Sequence, residues 1–125
     1  MGFFGLSTVG ESDMAWDFWA NVMDAKGNEA KIKKLIAKEL RDHANCWNTP
    51  GFMNIALYLK SEGKKHNAPE YECPTTFVIS DLITQTQYKT IKSYLQDSLK
   101  EWGKEHRSAI KSMLKCVESK QGNNL

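Results

Sequence analysis

The chain has no run of about 18 apolar residues, so no membrane-spanning helix is expected. Its start lacks the basic segment and apolar stretch of a secretory signal. Cysteine is scarce: Cys46, Cys73 and Cys116 are odd in number, widely spaced and without a C-x-x-C. That pattern fits reduced thiols in a cytoplasmic protein better than a disulfide framework. The Met-Gly start has Leu6 where N-myristoylation favours Ser or Thr, with the hydroxyl displaced to Ser7. No repeat and no sustained heptad is present, which excludes solenoids and coiled coils. Nor does one sign of charge dominate: 17 Lys and Arg stand against 15 Asp and Glu, so this is not a strongly basic protein.

What is present suits one folded domain. A length of 125 residues with 41% hydrophobic and 26% charged side chains can bury a core without staples. The near-neutral total conceals a polarised chain. Residues 1–30 hold five acids against Lys26, and residues 31–41 hold five bases against Glu39.

Apolar residues recur at helical spacing along most of the chain. Ala15, Phe18, Trp19, Val22 and Met23 form a first stripe, with Ser12 as N-cap, Asp13 beside it and Gly27 as the stop. Asn28 caps a second helix striped by Ile32, Leu35, Ile36 and Leu40. Thr49 and Pro50 suit the N-cap and first position of a third, where Phe52, Ile55, Ala56 and Leu59 make the stripe and Gly63 closes it. Residues 64–76 read as a loop. "FVISDLI" is either a short strand near 76–80 or a buried helical turn. A fourth helix from about Thr84 is striped by Tyr88, Ile91, Leu95, Leu99 and Trp102, and Gly103 softens or ends it. Ile110, Met113, Leu114 and Val117 mark a fifth. The expectation is a mostly α, single compact bundle of about five helices over 1–118, with a flexible tail at 119–125.

Before the first helix, Phe3, Phe4 and Leu6 alternate with Gly2, Gly5 and Gly10. Burying side chains of this size contributes about 1.5–3 kcal/mol each, so the segment is expected to close the bundle as a lid.

"MGFFG" followed by "GESDMAWDF" resembles the opening of a bacterial and phage domain-of-unknown-function family, which begins Met-Gly-x-Trp-Gly and continues with Ala-x-Asp-Trp at its first helix. Gly2, Gly5, Asp13, Ala15, Asp17 and Phe18 occupy the matching places, whereas Phe4 replaces the usual Trp and Ser12 stands for Asn or Asp. The "MNIALYL" helix and the closing helical pair with its embedded Trp are similar in style, as in small accessory proteins of large tailed phages. The resemblance implies a helical fold and a role directed at a host protein. It supplies no catalytic residues.

Several clusters invite chemistry. Glu11, Asp13 and Asp17 gather at the start of the first helix, and Asp13 and Asp17, four apart, share a face. They can cap the helix, meet a cationic partner, or ligate Mg²⁺ or Ca²⁺. Their spacing is not that of an EF-hand. His43, Cys46, His66 and Cys73 have the residue types of a zinc site but not a standard spacing, and a Cys–His nucleophile pair among them lacks a nameable third partner. The glycines of the opening have no following Lys-Ser/Thr and follow no strand, so no phosphate loop is expected. Lys31, Lys34, Lys38 and Arg41, with Lys33, form a basic patch on the second helix without interleaved aromatics, to which Lys104, Arg107, Lys111 and Lys115 of the last helix can add. Trp16 stands about 100° off the first stripe and is either a second buried contact or an exposed anchor.

The sequence therefore points to a small non-enzymatic, cytoplasmic protein that binds another protein through Glu11, Asp13, Trp16 and Asp17. No cofactor, metal or membrane is expected, and self-association through complementary faces is open. The alternatives are a nucleic-acid accessory protein using the basic helices, and a metal-dependent enzyme.

Overall fold

The structure, a computed structural model, describes residues 13–41, 50–62, 66–67, 72–73 and 77–123. Five helices carry the fold: α1 (Asp13–Asp24), α2 (Glu29–Arg41), α3 (Gly51–Ser61), α4 (Gln85–Glu101) and α5 (Lys104–Asn123). The lid assigned to the opening residues lies outside the described residues.

The local signals explain the helix ends. After α1 the chain reverses through Lys26 (φ 52°) and Gly27 (φ 81°), the left-handed region in which glycine carries no Cβ penalty. Asn28 then caps α2, its Oδ1 accepting the Lys31 amide at 3.1 Å. Thr84 and Gln87 form a reciprocal capping box on α4: the Thr84 hydroxyl accepts the Gln87 amide at 3.1 Å, and the Gln87 side chain accepts the Thr84 amide at 2.9 Å. Thr84→Ala is expected to cost about 1 kcal/mol in urea denaturation, with an unchanged dependence on denaturant. At α3 the sequence reading is shifted by one residue: Pro50, extended at φ −66° and ψ 154°, is itself the N-cap, and the helix starts at Gly51.

Helix α3 is the centre of the bundle and touches all four others. The one-sided stripe read from sequence understates it. Met53, Ile55, Ala56, Leu57, Tyr58 and Leu59 are all buried, and Phe52 is the half-buried member. A helix enclosed on every side has no polar face, so its periodicity carries no direction. Around it pack Phe18 and Val22 of α1, Ile32 and Ile36 of α2, Tyr88, Ile91 and Leu95 of α4, and Ile110, Met113 and Val117 of α5. Phe18 meets Tyr58 edge-on at 5.7 Å, a favourable aromatic geometry that fixes α1 against α3. Gly51 lies against the backbone of Glu39 in α2. One turn on, the buried Asn54 amide donates to the Glu39 carboxylate at 2.8 Å.

The segment 77–82 forms no strand. Residues 77–79 lack regular structure and Ser80–Leu82 is a 3₁₀ turn, with Ile79 and Ser80 buried and Phe77 and Val78 exposed. The reason is the carboxylate of Glu62, which accepts the amides of Ile79 at 2.7 Å and Ser80 at 3.0 Å. Those donors would otherwise serve a strand ladder. Within the stretch read as a loop, β1 (His66–Asn67) and β2 (Glu72–Cys73) form a two-residue antiparallel pair.

The expected tail at 119–125 is also corrected, because α5 continues to Asn123. Lys120 donates to Glu62 at 2.8 Å, and Gln121 bonds the Gln85 side chain at 3.1 Å. Tyr88, fully buried, donates its hydroxyl to the Ser80 carbonyl at 2.6 Å. Burial first, and then the nearby Glu62, Asp81 and Cys116, hold this hydroxyl far above the usual phenol range.

Candidate functional site

Helix α1 sorts its residues into three rows. Ala15, Phe18, Trp19 and Val22 are buried, Trp16, Ala20 and Met23 are half-buried, and Asp17, Asn21 and Asp24 are exposed. The last two rows each step by four and then three residues, so they run side by side along the solvent edge of the helix. An apolar shoulder thus adjoins an acidic stripe.

The largest member of that shoulder is Trp16. Its ring lies 4.8 Å from that of Trp19, with the planes inclined at 36°. Trp19 is buried against the core, and its indole N–H has no hydrogen-bond acceptor among the described residues, so packing holds the ring in place. Trp16 therefore rests on a fixed support while leaving part of its surface to solvent. The two alternatives drawn from sequence were burial and exposure, and the ring is shared between both.

Among the described residues the ion pairs are His106 with Glu105 and Lys120 with Glu62, and neither involves α1. The last turn of α1 contains no base. The carboxylates of Asp17 and Asp24 thus remain available to an external cation. Asp13 opens α1, four residues before Asp17, and its side chain lies outside the described residues, as does Glu11.

The basic patch is borne by α2, which contacts α1. Lys31, Lys34, Lys38 and Arg41 are exposed at steps of three, four and three, with Lys33 exposed beside them. No aromatic side chain occurs on α2, so this face offers charge without a stacking platform.

His43 and Cys46 lie outside the described residues. The β1–β2 register sets His66 opposite Cys73, whose side chains are likewise outside them. Among the described residues no group of three His, Cys, Asp or Glu side chains is arranged to hold a metal, and no helix is long and apolar enough to cross a membrane.

Glu62 was missed as a residue of consequence. It had one sequence signal: an acid directly after an apolar helix places negative charge at the negative end of the helix dipole. Such a placement requires compensation elsewhere, and here Lys120 and two backbone amides supply it.

No protein family, curated protein or solved structure matches this chain.

Proposed function

We propose that this is a non-enzymatic binding module that engages a cationic, partly apolar surface of another protein through the solvent edge of α1. The observation that carries the reading is Trp16, half-exposed and braced on the buried Trp19, with exposed Asp17 alongside. Preorganised Trp side chains rimmed by polar groups are what binding hot spots consist of, because a rigid ring loses little entropy on contact. Carboxylates beside it select Lys or Arg on the partner and repel an acidic surface. Following the resemblance of the opening to a bacterial and phage family, and of the general style to small phage accessory proteins, the partner is a host protein whose surface this face occludes.

The test is affinity capture from host cells with a tagged chain, compared with its Trp16→Ala and Asp17→Lys variants. A specific protein retained by the parent should be lost from both variants, each weakening binding by about 2 kcal/mol or more. Because Trp16 is only half-buried, its variant should still unfold cooperatively and keep its helical circular dichroism. Equal capture by parent and variants, or collapse of the Trp16→Ala fold, contradicts the reading.

A further inference from the structure

Away from the α1 edge, two adjacent large hydrophobic side chains stand in solvent, Phe77 at 41% and Val78 at 60% exposure. The residues that follow explain why they point outward. Ile79 turns into the core, and its amide and that of Ser80 are held by the buried Glu62 carboxylate at 2.7 and 3.0 Å. The Leu82 amide then bonds the Ile79 carbonyl at 2.9 Å, and Tyr88 donates to the Ser80 carbonyl at 2.6 Å. These hydrogen bonds pin the turn, so little backbone freedom remains to be lost when a partner touches it.

The pair borders a hollow of about 170 Å³ between this turn and the start of α2. Glu29 and Ile32 line it from α2, and Phe77, Val78, Asp81 and Leu82 line it from the turn. Ile32 is buried and Leu82 half-buried, which makes the inner part apolar. Glu29 and Asp81 are exposed, one on each wall, and neither belongs to an ion pair among the described residues.

The hollow is smaller than the roughly 300 Å³ at which small-molecule sites begin, and it suits one inserted side chain. Exposed apolar side chains with a polar rim mark contact surfaces for other proteins. The two carboxylates set the sign of the partner: flanking cations are attracted, and an acidic segment is repelled.

We propose that this hollow receives a basic-apolar segment of another protein. One aliphatic side chain packs against Phe77, Val78 and Leu82, and Lys or Arg on either side of it meets Glu29 and Asp81. These residues lie outside α1, so this site and the α1 edge can each fail without the other.

Titration of the isotope-labelled full chain with the capped tripeptide Lys-Leu-Arg, followed by amide shifts in NMR spectra, tests it. Shifts should centre on residues 29–32 and 77–82, with a dissociation constant on the order of 1 mM. Glu29→Gln combined with Asp81→Asn should weaken binding about fivefold or more, and Val78→Ser about threefold. The three side chains are exposed, and Val78→Ser decides the matter if the double variant does not fold. The capped peptides Glu-Leu-Glu and Lys-Gly-Arg should each bind about tenfold more weakly or worse, the first for its charge and the second for its missing side chain. Absence of shifts at about ten times that dissociation constant overturns the proposal, as does binding that the substitutions leave unchanged. Equal binding of either control peptide overturns it too. Shifts confined to α1 and lost in Trp16→Ala assign the peptide to the α1 edge and overturn this site alone. Shifts at 77–82 that depend on protein concentration without peptide assign the hollow to a second copy of the chain instead.

Discussion

Gly51→Ala should lower stability by about 3 kcal/mol or more, above the common range for overpacking, because backbone must move to admit the new methyl. A Cβ at this position would land on the Glu39 backbone carbonyl, not on the far end of a pliable side chain. Helices α2 and α3 would have to part. Their separation would stretch the Asn54–Glu39 hydrogen bond and loosen Ile32 and Ile36 against the central helix. With typical domain stabilities of about 5–15 kcal/mol, such a loss removes a large share of the total. Urea denaturation followed by circular dichroism measures it. A change below about 0.5 kcal/mol, the range of ordinary surface substitutions, would mean that the two helices are not in close approach here.

The second large effect is at Glu62. Its side chain is 2% exposed, and it joins three elements: the end of α3, the turn before α4, and the last turns of α5. Glu62→Ala removes the acceptor from two backbone amides and from Lys120 at once. Breaking a buried pair from one side costs about 3–5 kcal/mol, and a loss in that range is expected. Lys120→Met should cost less, about 1 kcal/mol, because Lys120 is 29% exposed and Glu62 keeps both amides. A double-mutant cycle of the two should give a coupling of about 0.5–3 kcal/mol. If Glu62→Ala loses no more than Lys120→Met, the amide contacts contribute little and the junction is held by packing alone. Truncating the chain before Lys120 should cost more than Lys120→Met, since it also removes the Gln121 contacts with Gln85 and Lys92.

The helical periodicity translated well where one face of a helix meets solvent. In α1, α2, α4 and α5 the residues read as apolar stripes are the buried or half-buried ones, and Asn28, Gly27 and Thr84 act where their backbone chemistry requires. In α3 the stripe residues are also buried or half-buried, but enclosure buries the other faces as well and erases the contrast that would have placed this helix at the centre. At 77–82 it left strand and helical turn open, and the turn is decided by a carboxylate 17 and 18 residues earlier in the chain. For the candidate site, the spacing set Trp16 and Asp17 off the buried stripe, and in the structure Trp16 is half-buried and Asp17 exposed. The support from Trp19 required knowing the orientation of both rings.

By itself the chain determined its helices and most of their ends, because those follow from hydrogen bonds and side-chain contacts within four residues. Tertiary structure alone decided that α3 lies at the centre, that Glu62 reaches Lys120 across 58 residues, and how much of Trp16 stays open to solvent. Such outcomes depend on which surfaces meet when the helices assemble, and no local spacing encodes the position of a distant neighbour.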